Sequence, residues 1–279
     1  MVLALVFLHP LSMLLGFKTV VTHHSPDYKR PKWRWHGKLI LKLGELNTVL
    51  FASKVVCVSA SVLNELNQRY PFLLSKRLVI RNAGSLIVFE LDESPSDVLA
   101  ELNLSPQSYF LAVGRLDQTK GFDDLIMAFL LKPDLNKKLV IVGSNYVEDS
   151  YVATLKNLAS ENVIFAGTRK GQALVSLYQN AALLVNPSHM EGYCLVVAEA
   201  LSVGTPIIAS DIAAHREFEL AEQSYFPRGN IDALSRKLSV PEFSIYKSAH
   251  AESLQKENTW SSNAKKHVSL FSSLLKKSP

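Results

Sequence analysis

Short runs of apolar, often β-branched residues alternate along this chain with stretches whose apolar positions recur every three or four residues. Continuous apolar runs of four or five residues fit strands covered on both faces, and the longer period fits helices packed by one side. Regular alternation of the two is the pattern of parallel α/β units. Strands are predicted at 18–22, 55–58, 78–81, 109–113, 139–142, 163–166, 182–185 and 206–209. Helices are predicted near 36–50, 60–68, 121–131, 148–159, 171–179, 193–203 and 242–257. In the 36–50 segment the apolar positions 39, 40, 43, 46 and 50 make a usable single face.

The alternation breaks once, over Ser85–Gln107, where Asp92-Glu93-Ser94-Pro95-Ser96 and Ser105-Pro106 interrupt it. A fresh strand–turn–helix unit starts at Tyr109. The expected organisation is therefore a partial α/β domain over 1–88, a linker over 89–106, a complete doubly wound domain over 107–240, and C-terminal helices over 241–279. Three strands are few for a domain of the first kind, so it reads as incomplete. Met1–Phe17 is strongly apolar but short of the roughly 20 residues a membrane span needs, and it contains His9 and Pro10. A buried helix leading into the first strand is the favoured reading, with a signal anchor as the alternative.

Composition narrows the class. A chain of 279 residues with 48% hydrophobic and 20% charged residues can build substantial cores and is not a disordered protein. The two cysteines, Cys57 and Cys194, each sit in an apolar run, which fits buried reduced thiols in a cytoplasmic protein. Charge is uneven: residues 1–90 carry 12 Lys/Arg against 4 Asp/Glu, while the remainder carries 18 against 21. Lys29, Arg30, Lys32, Arg34, Lys38 and Lys42 interleave with Trp33 and Trp35. That mixture suits the anionic inner face of a plasma membrane or a phosphorylated acceptor, and otherwise is a solvated basic face. No nucleic-acid module surrounds it, and nucleic acid is not expected as a partner.

The densest chemistry lies at Ser188-His189-Met190-Glu191-Gly192-Tyr193-Cys194-Leu195 and runs on to Glu199. It follows a buried-looking strand and the breaker pair Asn186-Pro187. A strand, a tight turn and a helix start present backbone N–H groups to an anion. Carboxylates repel phosphate, so Glu191 and Glu199 suit hydroxyls instead. Phosphate on backbone and hydroxyls on acids together describe a nucleotide-sugar site. A second segment, Gly114-Arg115-Leu116-Asp117-Gln118-Thr119-Lys120-Gly121, places a bidentate cation and a compact one near a strand end, as a diphosphate requires. The plain alternatives are solvated glutamates on an ordinary helix and two surface cations beside a loop.

These segments resemble the E-x7-E and G-R…K-G motifs of the retaining family-4 glycosyltransferases, and Gly204-Thr205-Pro206-Ile207-Ile208-Ala209-Ser210-Asp211 follows as it does there. The resemblance implies a GT-B fold of two Rossmann-like domains, the first of them shortened here. It also implies transfer of a sugar from a nucleotide-sugar donor to a saccharide or lipid-linked acceptor, as in bacterial surface polysaccharide synthesis. Carried over, Arg115 and Lys120 bind the donor diphosphate, Glu191 the sugar and Glu199 the ribose. Gly192, Tyr193, Cys194 and Leu195 offer backbone to the donor, and Gly143, ending the 139–142 strand, borders the nucleotide. Thr22-His23-His24, followed by Asp27, Arg30, Lys32 and Trp33, resembles a bacterial polysaccharide branch and gives His24 a place near sugar and acceptor. Asn82-Ala83-Gly84 departs from the usual Asn-Gly. No D-x-D pair or cofactor motif is present, so metal-independent catalysis is expected, with nucleotide-sugar epimerisation and a non-catalytic binding remnant as rival functions.

Overall fold

The computed structural model describes residues 9–30, 33–83, 98–132, 135–145, 150–248 and 259–275. Met1–Leu8, Lys32, the Asp92–Ser96 part of the seam and most of the helix expected at 242–257 lie outside them. The chain separates into two compact units, one of Met1–Ala83 with Trp260–Pro279 and one of Gly84–Thr259.

In the first unit, β1 (Val20–His23), β2 (Lys54–Cys57) and β3 (Arg77–Val79) form a parallel sheet in that order. Helix α1 (His9–Leu14) precedes β1, α2 (Trp35–Phe51) joins β1 to β2, and α3 (Ala60–Arg69) follows β2. Ser59 caps α3 by accepting from the Val62 N–H at 3.2 Å. At the other end Arg77 donates to the carbonyls of Leu66 and Phe72 and to Asn67, holding the chain as it leaves the helix.

Apolar side chains on α1 and α2 are largely outward. Helix α2 buries Gly44, Glu45, Thr48 and Val49, whereas Leu39, Ile40, Leu43 and Leu50 are exposed. The face chosen inward is the one carrying Glu45, whose carboxylate is held by His23 Nε2 at 3.3 Å, Arg69 Nε at 3.7 Å and the Tyr28 hydroxyl at 3.5 Å. A buried carboxylate with several donors fixes the rotation of the helix more strictly than an apolar stripe, because turning it would strand the charge. In the described part of the apolar N-terminal segment, α1 packs against α2 while Leu11, Met13, Leu14, Leu15 and Phe17 are exposed. Among the described residues no helix is long and apolar enough to cross a membrane.

The second unit carries a six-stranded, wholly parallel sheet. After the short helix α4 (Val98–Glu101) come β4 (Tyr109–Val113), α5 (Phe122–Leu130), β5 (Lys138–Val142), α6 (Ser150–Leu158), β6 (Val163–Gly167), α7 (Gly171–Asn180), β7 (Leu183–Asn186), α8 (Leu195–Ser202), β8 (Ile207–Ser210), α9 (Ala213–Arg216), β9 (Tyr225–Phe226) and α10 (Ile231–Leu238). The final helix, α11 (Trp260–Leu275), is counted with the first unit. Within the described part of the segment expected to be helical at 242–257, Phe243–Tyr246 forms a 3-10 turn. Val98 and Leu104 are buried in the second unit's core, so structure begins inside the segment read as linker.

Strand order is β6-β5-β4-β7-β8-β9. Counted from β4 as the first strand this is 3-2-1-4-5-6, the order of the dinucleotide-binding folds. Side chains of β4 alternate between two cores. Phe110 and Ala112 join Phe122, Leu125 and Ile126 on one face, while Tyr109 and Leu111 join Leu177, Tyr178 and Val197 on the other. Both faces are covered, which explains why the strands read as unbroken apolar runs.

Candidate functional site

The order reverses between β4 and β7. In an open parallel sheet the crevice beyond the carboxyl ends of two such strands is where ligands bind, because the loops diverge to opposite faces there. The Gly114–Gly121 segment leaves β4 and the Pro187–Cys194 segment leaves β7, so both motifs meet at this point.

Close backbone packing locks the two loops. The His189 N–H donates to the Thr119 carbonyl at 2.8 Å. Gly121 has φ +64°, and a Cβ there would lie 2.5 Å from the Pro187 carbonyl oxygen, so only glycine fits. Asp117 accepts from the Thr119 N–H at 2.9 Å and from its hydroxyl, shaping the turn that carries Lys120. Its other oxygen lies 3.3 Å from Arg115 Nη2 and holds the half-exposed guanidinium over the loop.

Lys120 Nζ reaches Glu191 Oε1 at 2.5 Å across the crevice. The same oxygen accepts from the Ser188 hydroxyl at 2.8 Å and is approached by the Cys194 thiol at 4.0 Å. Three donors converge on Oε1, and Oε2 is left without a protein partner among the described residues. Both side chains are mostly buried, 16% exposed for Lys120 and 11% for Glu191. Burial works to lower the Lys120 pKa, but the Glu191 carboxylate, with Cys194 and Asp117, outweighs it and raises the value above the ordinary one. The ammonium therefore stays charged where a diphosphate would need it.

Glu199 sits on α8 and accepts from the Tyr178 hydroxyl of α7 at 2.7 Å through Oε2. Oε1 has no protein partner among the described residues. Burial raises the Glu199 pKa, and the Tyr178 hydrogen bond offsets this only in part. Tyr178 is itself anchored, since its carbonyl takes the Thr205 hydroxyl at 2.8 Å. Between the two glutamates, α8 starts at Leu195, where first-turn N–H groups have no intrahelical acceptor and point out of the sheet's carboxyl edge. Tyr193 packs its ring on Phe218, with centroids 5.1 Å apart.

Cys194 is wholly buried, and burial with the nearby Glu191 pushes its thiol up to about 12. Asn186 Nδ2 donates to its sulfur at 3.0 Å. It supports the turn as a neutral thiol, while its backbone lies at the helix start. Gly143, expected from the sequence to border the nucleotide, also has a packing task at the end of β5. A Cβ there would lie 1.9 Å from the Gly114 carbonyl oxygen, so the residue lets the ends of β4 and β5 touch.

Sequence reasoning missed Tyr178, Ser188, Asp117 and His215. His215 is fully buried, bonds the Ser210 carbonyl through Nδ1 at 2.7 Å, and leaves Nε2 without a partner. The Ser210 hydroxyl in turn donates to the Ser188 carbonyl at 2.5 Å. Nothing in spacing announces such a chain of contacts, because its members come from β7, β8 and α9. Two groups among the described residues gather three donors within 4.8 Å of one another: Glu191, Cys194 and His215, and Asp123, Asp124 and His189. In the first the Lys120 ammonium already supplies positive charge to Glu191. In the second the Tyr151 hydroxyl donates to Asp123 at 2.8 Å and His189 faces Asp124 at 3.4 Å.

In the second unit Lys120 and Glu191 meet across the crevice, Glu199 lies on the helix that follows the Glu191 loop, and Arg115 shares the Lys120 loop, where it pairs with Asp117. His24 belongs to the first unit, exposed just past the end of β1 and next to His23.

Comparison with known proteins agrees with this geometry. Residues 99–266, more than half of the chain, match the model of the family described as glycosyl transferases group 1. D-inositol 3-phosphate glycosyltransferase of Corynebacterium glutamicum is 31% identical over 174 residues, covering 57% of this chain and 42% of the relative. An uncharacterized 41.2 kDa protein in the cps region of Klebsiella pneumoniae is 25% identical over 200 residues, 71% of this chain and 53% of the relative. The chain thus spans about half the length of these curated relatives. Among solved structures, Anabaena Alr3699/HepE in complex with UDP and glucose aligns with a TM-score of 0.77 at 20% identity, covering 94% of this chain and 73% of that one. Sucrose-phosphate synthase from Thermosynechococcus elongatus aligns at 0.74 and 23%, covering 97% and 72%. These likenesses show the GT-B fold, and with the family match the chain belongs to the glycosyl transferases of group 1.

Proposed function

We propose that the chain binds a nucleotide-sugar at the β4/β7 switch point and, as part of a complete GT-B enzyme, transfers the sugar with retention to a hydroxyl of a saccharide or lipid-linked acceptor. The observation that carries this reading is Lys120 on the loop after β4 meeting Glu191 on the loop after β7 at 2.5 Å, with Arg115 on the same loop as Lys120 and a helix starting at Leu195. The cations and the α8 N–H groups take the diphosphate, Glu191 Oε2 accepts from a sugar hydroxyl, and Glu199 Oε1 accepts from the ribose. The bond from the anomeric carbon to the diphosphate breaks as the acceptor oxygen bonds to the same face. The acceptor proton passes to the departing diphosphate oxygen, whose growing negative charge Arg115 and Lys120 stabilise. No metal is required by this scheme, since the two cations supply the charge. UDP is the first base to try, because the Anabaena protein of like fold was solved with it.

A role in bacterial surface polysaccharide synthesis, at the cytoplasmic face of an anionic membrane, completes the reading. Its supports are the cps-region relative and the basic character of residues 1–90. His24 keeps the part that the resemblance gives it, near sugar or acceptor. Calorimetry with UDP, GDP and ADP is the test, with Glu199→Ala and Arg115→Ala alongside. One nucleotide should bind selectively and both variants should lose it. Wild-type affinity in Arg115→Ala, with turnover intact, would overturn the assignment.

A further inference from the structure

Helix α2 buries the face that carries Glu45 and leaves an apolar stripe outward. Trp35, Leu39, Leu43, Leu46 and Leu50 recur at spacings of four, four, three and four, which places them on one stripe of a 3.6-residue helix. That stripe lies opposite the buried Gly44, Glu45, Thr48 and Val49. Trp35 is 76% exposed at its start, and Leu39, Leu43 and Leu50 are exposed along it. The neighbouring α1 continues the surface with Leu11, Met13, Leu14, Leu15 and Phe17, the first helix containing no charged residue at all.

Charge around the stripe is of one sign. Arg34, Lys38 and Lys42 flank it and make no ion pair among the described residues, while the sole acid of α2, Glu45, is buried and paired. Part of the basic cluster read from sequence is absent from this surface. Lys29 is tied to Glu65 at 2.7 Å, Arg30 to Asp27 at 2.6 Å, and Trp33 donates to Asp27 at 2.9 Å. What remains outward is an apolar helix about 25 Å long, at 1.5 Å per residue, with a tryptophan at one end and cations on its flank.

We propose that the outward faces of α1 and α2 dock on an anionic bilayer, with α2 lying in the plane of the interface. Apolar residues enter the acyl boundary, Trp35 sits at the headgroup level, and Arg34, Lys38 and Lys42 meet the anionic headgroups. The excess of 12 basic over 4 acidic residues in 1–90 favours this occupant over a neutral polypeptide face. This rests on the transferase reading in one respect only, that a lipid-linked acceptor would be met at such a surface.

The test is co-sedimentation of the full chain with vesicles of phosphatidylcholine, alone or mixed with phosphatidylglycerol, at low and high salt. Binding should require phosphatidylglycerol and weaken with salt. Lys38→Gln and Lys42→Gln should each weaken it roughly fivefold, and Leu39→Glu with Leu43→Glu should remove it, with circular dichroism unchanged. Two results overturn the proposal. One is undiminished vesicle binding by the leucine variant. The other is no vesicle binding by the wild type together with a dimer that the leucine variant abolishes, which gives the stripe to a second copy. UDP calorimetry on the same samples is a separate readout. Vesicle binding without UDP binding sinks the donor site alone, and the converse sinks the docking face alone.

Discussion

Replacing Lys120 by methionine tests whether the Lys120–Glu191 pair is a coupled unit. In the wild type Glu191 Oε1 receives the ammonium at 2.5 Å and the Ser188 hydroxyl at 2.8 Å. Lys120→Met keeps the stem's apolar packing and removes the charge, leaving an 11%-exposed carboxylate with one hydroxyl and a distant thiol. Breaking a buried pair by deleting one partner costs about 3–5 kcal/mol, and partial exposure of Glu191 places this case near about 3 kcal/mol. For a unit of this size that is a fall in Tm of roughly 6–12 °C. Glu191→Gln should cost less, about 1–2 kcal/mol, because the lysine stem can carry its charge outward. The double variant leaves no uncompensated charge and should recover about 2 kcal/mol of the summed losses.

Urea unfolding followed by far-ultraviolet circular dichroism is the assay. Tryptophan fluorescence is unsuitable, since all three tryptophans, Trp33, Trp35 and Trp260, belong to the first unit. Losses in the two single variants that add within about 0.5 kcal/mol would refute the coupling. Nucleotide binding should behave differently from stability. Lys120→Met loses it and the double variant does not regain it, because a restored fold still lacks the cation. Recovered UDP affinity in the double variant would show that Lys120 serves only to hold Glu191.

Glu199 should show a trade between stability and function. Burial raises its pKa, so the folded state disfavours the ionised form; that penalty is absent below the unfolded carboxylate pKa and grows as pH rises through the folded one. Glu199→Gln should therefore melt above the wild type at pH 8, with the gap closing below about pH 4, while nucleotide affinity falls at least about tenfold. A lower melting temperature at pH 8 would contradict this. Gly143→Ala forces a Cβ to within 1.9 Å of the Gly114 carbonyl at φ +141° and should cost about 2–4 kcal/mol by thermal melting; wild-type stability would show that β4 and β5 can part freely. Cys57 and Cys194 are both buried with thiols pushed up to about 12. Iodoacetamide at pH 8 should label them only as fast as the protein opens, and prompt labelling of the native chain would count against their burial.

The strands were legible in the sequence because a parallel sheet covered on both sides leaves unbroken apolar runs, and the eight expected strands fall within two residues of β1 to β8. The two-residue β9 carries too little pattern to be read. Nor could the rotation of α2 be read. Its outward stripe has the cleaner periodicity, yet the helix turned toward the side where Glu45 meets His23, Arg69 and Tyr28. Those partners come from β1, α3 and the turn after β1, and no local window contains them. Site chemistry divides the same way. Arg115, Lys120, Glu191 and Glu199 could be singled out as candidates by residue type in the segments that leave β4 and β7, but Tyr178 could not, being one tyrosine in an ordinary helical pattern.

That asymmetry has a physical basis at the two glutamates. Under the proposed donor reading a carboxylate facing a diphosphate must be kept from repelling it, and the two glutamates are held in different ways. Glu191 lies closest to the cations and is matched by Lys120 through Oε1, so it can present Oε2 to a hydroxyl without a net local charge. Glu199 lies more than a helical turn away, is matched by no cation, and is held by the neutral Tyr178 hydroxyl in a buried setting. An empty site leaves it under-solvated, and a ribose hydroxyl donating to Oε1 would supply the hydrogen bond that burial removes. Part of the drive for binding is then stored at Glu199 as an unmet demand. Two acids at E-x7-E spacing are therefore held differently, one neutralised by Lys120 from across the crevice and one by a neutral hydroxyl alone, which on the proposed reading leaves Oε1 of Glu199 for the ribose.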